Sequence, residues 1–226
     1  MRKTYTFQPR FSVATDTVAT ASIQEFERER GVYSATPAFV RAHCGPIANT
    51  ILDAVPASYY ALAESLGLSP NIDVRIHRLY PGDFPAYPGW HCDGEYRETY
   101  FSQPDLDRIK VSHHLTCTVS SHADGVCSPQ FLAEDFSCEV DEASDVALWG
   151  QVHQHVERVR PRRVHDTRDG ELVLFDSWSL HRAMPARVRG WRLFFRMSMW
   201  HRPHLGDGGM LTKQEQVYKI SEGGGW

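Results

Sequence analysis

Residues 69–71, "SPN", divide this chain into two textures, and that division limits its fold more than any other feature. Before it, apolar residues recur at helical spacing. "TDTVATASIQEFERERG" offers Thr15 or Asp16 as an N-cap and Gly31 as a stop. "PIANTILDAV" gives a second helical pattern, and "ASYYALAESLG" a third that closes at Gly67. After the break, segments are short, rich in β-branched and aromatic residues, and bounded by Gly, Pro and Asp. "DVRIHRLY", "AYPGWHCD", "IKVSHHLTCTVSS", "SPQFLAE", "HQHVERV", "ELVLFDS", "SLHRAMPA" and "WRLFFRMSMW" read as strands. Helices followed by many short strands imply a sandwich or barrel, not alternating βαβ units. The expected fold is therefore mainly β, with N-terminal helices packed on one sheet.

The segment "WRLFFRMSMW" shows how such a sheet is used. Side chains alternate along a strand, so Leu193, Phe195, Met197 and Met199 form an apolar face suited to lie beneath helices. Arg192, Phe194, Arg196, Ser198 and Trp200 form the other face. Arginines directed into a barrel cost free energy unless they meet an anion. Carboxylates of neighbouring strands or a bound ligand would both satisfy them.

A chain of 226 residues, 42% of them hydrophobic, can bury one sizeable core. The expectation is a single domain over 1–226: a helical part at 1–68, a β core at 72–202 and a tail at 203–226. The net charge of −4 gives no global attraction for nucleic acid or an anionic membrane. The basic cluster "RVRPRRVHDTR" at 158–168 is short, broken by acidic residues and reads as a solvated loop or strand edge. No apolar run approaches the length of a membrane span, and "MRKTYTFQPRF" lacks the apolar core of a signal peptide. The five cysteines are odd in number and scattered, without a Cys-x-x-Cys pair. That usage points to free thiols in a reducing cytoplasm.

Two His-x-Asp pairs occur, His91/Asp93 and His122/Asp124. The second lies in "SSHADGVCS", a connecting loop. The first follows an alternating stretch, so His91 ends a strand and shares a face with Asp93. "DGELVLFDSWSLHRAMPA" supplies a third donor: a turn at Asp169-Gly170, a buried strand, then His181. Two histidines and a carboxylate on one face of Fe(II) leave coordination positions open for a co-substrate and dioxygen. Arg192 and Arg196 follow His181 on the next strand.

This ordered set, over residues 72–202, resembles the Fe(II)/2-oxoglutarate-dependent oxygenases. "LTCTVSSHADGVCSPQFL" is also similar to that superfamily's strand-loop-strand before the distal half. The resemblance implies a double-stranded β-helix, or jelly roll, with helices on the larger sheet. It implies Fe(II) held by His91, Asp93 and His181, and 2-oxoglutarate chelating that iron. The C5 carboxylate would rest on Arg196 with Ser198, with Arg192 near C1 or as the alternative. Dioxygen would be consumed, succinate and carbon dioxide released, and ascorbate would support turnover. The carboxylate of Asp93 favours hydroxylation, desaturation or ring closure over halogenation. The expected substrate is a small metabolite, amino acid or natural-product intermediate. In "GEYRETYFSQPDLDR", Arg97 and Tyr100 are expected to contact it.

Two rival readings use other residues. His153, His155 and Glu157 are reminiscent of a cupin's ligands, with His181 as a fourth. A non-catalytic jelly-roll binding module would use Trp149, Trp178 and Trp191 as an aromatic platform.

Overall fold

The computed structural model describes residues 2–96, 98, 103–109, 111–122, 124–200 and 209–211. The chain opens with strands β1 (Arg2–Phe7) and β2 (Phe11–Thr17), where a helix was expected from Thr15 or Asp16. Val13, Thr15 and Thr17 alternate along β2, and such β-branched residues prefer an extended backbone. Helix α1 (Ile23–Arg28) starts later. The Ser22 hydroxyl accepts the Glu25 N–H, and the Glu25 carboxylate accepts the Ser22 N–H. Strand β3 (Gly31–Ala35) and helices α2 (Pro37–His43), α3 (Pro46–Ala54) and α4 (Ala57–Ser65) complete the N-terminal part.

Beyond "SPN" strands dominate, as expected. They are β4 (Ser69–Leu79), β5 (Glu95–Tyr96), β6 (Asp105–Ile109), β7 (Val111–Ser120), β8 (Gln130–Leu132) and β9 (Phe136–Asp141). Helix α5 (Leu148–Val159) interrupts them. β10 (Val164–Asp166), β11 (Glu171–Asp176), β12 (His181–Arg182), β13 (Gly190–Trp200) and β14 (Gly209–Leu211) follow. The result is a β-rich, jelly-roll-like arrangement. A large antiparallel sheet runs β14-β3-β4-β13-β7-β11-β2, and a small one runs β10-β8-β12. No helix among the described residues is long and apolar enough to cross a membrane.

The large sheet has two chemically distinct faces. One carries Ile72, Val74 and Ile76 of β4, Leu115, Cys117 and Val119 of β7, and Leu193, Phe195, Met197 and Met199 of β13. These pack against Phe26, Val40, Ile47, Ile51 and Tyr59 from helices α1 to α4. Burying one such side chain contributes roughly 1.5–3 kcal/mol. The other face carries Asn71, Asp73, Arg75 and His77 of β4, the intervening residues of that strand. Beside them lie His114, Thr116 and Thr118 of β7, and Arg192, Arg196 and Ser198 of β13.

Two segments correct the sequence reading. "HQHVERV" is helix, not strand, and lies within α5. Leu148, Trp149, Val152 and Val156 recur at helical spacing and are buried, and that period overrides the local His-x-His alternation. "AYPGWHCD" forms no continuous strand and contributes one isolated bridge, at His91. A strand at β9 was not foreseen, although Phe136, Cys138 and Val140 alternate and are buried. Gly170 sits at the expected turn with φ +77°, and a Cβ there would meet the Val18 carbonyl oxygen at 1.8 Å. None of the five cysteines is in a disulfide.

The polar face includes two buried imidazoles. Burial, reinforced by the charges of Arg192 and Arg75, pushes His77 down to about 3. Burial likewise pushes His114 to about 3. The unfolded chain therefore takes up protons from about pH 6.5, which the folded protein refuses until about pH 3. Stability is lost as pH falls through that window, by about 2 kcal/mol per histidine between pH 6.5 and 5. Urea denaturation of metal-free protein should show His77→Gln losing about 2 kcal/mol less than wild type between pH 7 and pH 5. Equal losses would contradict this.

Candidate metal centre

Among the described residues, His91, Asp93 and His181 form the group of His, Cys, Asp and Glu side chains that could hold a metal ion. One donor atom from each lies within 4.8 Å of the others. Backbone pairing does this for the histidines. The His91 N–H donates to the His181 carbonyl at 3.0 Å, and the His181 N–H donates back at 2.9 Å. Residues that exchange both bonds in an antiparallel pair lie directly opposite, with side chains on one face. Their ring centroids are 4.5 Å apart. Asp93 follows two residues after His91, and Gly94 at φ +92° then turns the chain away.

The imidazoles are oriented for coordination. Nδ1 of His91 lies 2.8 Å from the Gly89 carbonyl, and Nδ1 of His181 lies 3.0 Å from that of Ser179. A carbonyl only accepts, so each Nδ1 carries a proton, and Nε2 is the atom left to face a metal. The Nε2 of His181 is 3.4 Å from Asp93 Oδ2. A proton or a cation between these two atoms would hold them together. Burial, with the nearby His181, pushes His91 down to about 4, so it is neutral at physiological pH. Burial alone would raise Asp93, but Arg196 and the two histidines hold it well below the usual carboxylate range. Two imidazoles and one ionised carboxylate are a donor set that suits a divalent transition metal.

A cavity of about 110 Å³ opens from these residues and is lined also by Arg75, His77, Pro85, Ala86, Pro129, Arg182, Ala183, Arg192, Phe194 and Arg196. Arg192 is 4% exposed, and its Nε donates to the Cys127 carbonyl at 3.1 Å. Among the described residues its two Nη groups have no hydrogen-bond partner. His77 Nδ1, also buried, has none either. These unsatisfied donors suit an anion. Arg196 differs, because Nη1 donates to Asp93 at 2.7 Å and Nη2 to Asp73 at 2.8 Å. Ser198 is engaged by His114 Nδ1 at 2.9 Å. A larger cleft of about 440 Å³, lined by Asp124–Ser128 and Asp166–Asp169 among others, contains none of His91, Asp93 and His181.

The other candidates fall elsewhere. Arg97 and Tyr100 lie outside the described residues. The cupin-like set is not assembled, because α5 turns His153 and His155 to different sides. His153 Nδ1 accepts the Trp90 N–H at 3.5 Å, whereas His155 sits 2.7 Å from Arg158 Nη2. Glu157 accepts from Trp90 Nε1 at 3.0 Å and from Arg182 Nη1 at 2.8 Å. It thereby ties together the two segments that carry His91 and His181. The tryptophans form no platform: Trp149 and Trp178 flank Phe7, and Trp191 stacks on Phe26 in the helix-covered core. Sequence reading missed Asp73, Arg75 and His77, although their alternation with Ile72, Val74 and Ile76 was there to be used.

No family model matches the chain, and no curated protein matches it. Among solved structures, it is similar to HygX from Streptomyces hygroscopicus, determined with nickel, 2-oxoglutarate and hygromycin B bound. The TM-score is 0.42 and identity 13%, over 86% of this chain and 83% of that one. It is similar to AviO1 from Streptomyces viridochromogenes Tue57, with TM-score 0.37 and 11% identity over 81% and 96% of the two chains. The nickel complex of the non-heme monooxygenase ThoJ gives TM-score 0.35 and 14% identity over 78% and 76%. At TM-scores this low the likeness assigns neither a fold nor a function to this chain.

Replacing His91, Asp93 or His181 singly by Ala should weaken Co(II) binding at least about tenfold. Competition against a chromophoric chelator measures this, and far-UV circular dichroism should stay unchanged. A variant with wild-type Co(II) affinity would remove that residue from the site.

Proposed function

We propose that this chain is an Fe(II)- and 2-oxoglutarate-dependent oxygenase built on a double-stranded β-helix. The observation that carries the reading is a single cavity lined by two histidines and an ionised carboxylate beside a buried arginine whose Nη groups have no hydrogen-bond partner among the described residues. His91, Asp93 and His181 would hold the metal. Bound Fe(II), with 2-oxoglutarate and dioxygen, would supply the oxidising power to functionalise a C–H bond, yielding succinate and carbon dioxide.

The residues of the chain do the rest. The carbonyls of Gly89 and Ser179 fix the histidine tautomers. Arg192 has Nη donors to spare and would bind the C5 carboxylate of 2-oxoglutarate, with His77 and Arg75 beside it. The family resemblance points first to Arg196 with Ser198 for that role, but Asp93, Asp73 and His114 engage them. Phe131 and Phe175 pack on His181, with ring centroids 5.3 and 5.2 Å away, and exclude water from behind it. Hydroxylation of a small metabolite, amino acid or natural-product intermediate is the proposed reaction. Cysteines outside any disulfide fit a reducing, cytoplasmic setting.

Succinate formation with Fe(II), 2-oxoglutarate and ascorbate, screened over amino acids and cell extracts, tests the reading. Metal-independent succinate or none at all would oppose it. Arg192→Lys should raise the 2-oxoglutarate requirement roughly tenfold or more, because Lys reproduces a bidentate arginine contact poorly. An unchanged requirement would take the anchor away from Arg192. Arg97→Ala and Tyr100→Ala should spare the slow consumption of 2-oxoglutarate without substrate and lower substrate-stimulated turnover. Wild-type stimulated rates in both would move recognition to another segment.

A further inference from the structure

We propose that Arg196 is a positioning residue for Asp93, braced from behind by Asp73, and that it sets the affinity of the site for its metal. The inference rests on the metal-site reading above. Arg196 of β13 lies directly opposite Asp73 of β4, on the polar face of the sheet. Its two Nη groups diverge, one donating to Asp93 Oδ2 at 2.7 Å and the other to Asp73 Oδ2 at 2.8 Å. Charge-assisted bonds of this kind are short and directional. Asp93 is not part of a continuous strand, so the bond from Arg196 supplies orientation that backbone pairing does not.

The brace continues behind Asp73, which is itself buried. Asp73 Oδ1 accepts the N–H of Ser34 at 2.9 Å. Ser34 has φ +57°, a left-handed conformation that a serine adopts at a cost, at a point where the β3–β4 register shifts. Asn71 Nδ2 donates to the Ser34 hydroxyl at 3.1 Å. A strained residue is thus held where its N–H fixes the carboxylate that fixes Arg196. The charges agree with this role. Arg196 faces two carboxylates, so an incoming dicarboxylate would be repelled by both. Arg192, with neither Nη bonded among the described residues, carries no such obstacle.

Arg196→Lys keeps the charge but loses the fork that spans Asp93 and Asp73. Its Co(II) dissociation constant, measured by chelator competition, should rise roughly 10- to 100-fold. At saturating Co(II), its affinity for 2-oxoglutarate by calorimetry should stay within about twofold of wild type. Arg192→Lys should show the mirror image. Asp73→Asn should move Co(II) affinity in the same direction as Arg196→Lys, by less. Wild-type Co(II) affinity in Arg196→Lys would overturn the inference, as would weakened 2-oxoglutarate binding at saturating Co(II). If Arg196→Lys does not fold, Asp73→Asn carries the test, and unchanged Co(II) affinity there overturns the inference. Co(II) binding insensitive to His91→Ala and His181→Ala would instead remove the metal site itself.

Discussion

Side-chain alternation along β13 and its neighbours β4 and β7 is the constraint from which the rest follows. Period-2 geometry forces every second residue to the same face. Leu193, Phe195, Met197 and Met199 take the helix-covered side, where exclusion from water drives their burial. Arg192, Arg196 and Ser198 have no choice but the opposite side. A one-residue slip would bury the arginines beneath helices and expose the methionines, so the hydrophobic core also fixes the register of the polar face.

On that face, charge balance decides which groups are engaged and which are available. Buried ionised groups persist only when paired or hydrogen-bonded. Asp73 and Asp93 share Arg196, and the desolvation of buried Asp73 and of its two half-buried partners is offset by their mutual bonds. His77 and His114 meet the same demand by staying neutral. Arg192 remains cationic with only its Nε satisfied among the described residues, and it lines the same cavity as the histidines. On the proposed reading, a metal would sit at one end of this cavity and an anion at the other, set by which residues found partners.

Much of this was legible in the sequence because it is local. The two-faced pattern of "WRLFFRMSMW", the His-x-Asp spacing and the turn ahead of His181 each lie within one short segment. The partners of Arg196 were not legible, because Asp73 lies 123 residues away and cross-strand register cannot be read from one strand. For the same reason the exchange of backbone bonds between His91 and His181 stayed hidden. The misread of α5 has a different origin. His153, His155 and Glu157 alternate over five residues, and only the longer run of Leu148, Trp149, Val152 and Val156 reveals the helical period. β2 was missed because a cap-like Thr15-Asp16 sits inside an extended segment that needs β11 as partner, and β1 because its partner β9 is remote in sequence.

The central claim is that one cavity holds a metal and an acidic co-substrate together. Anaerobic calorimetric titration of 2-oxoglutarate into the protein, with and without Fe(II), tests it most directly. The account predicts tight binding with Fe(II) present and binding weakened at least about tenfold without it, because chelation of the metal and the arginine contact act together. Equal affinity in the two titrations, or none in either, would contradict it.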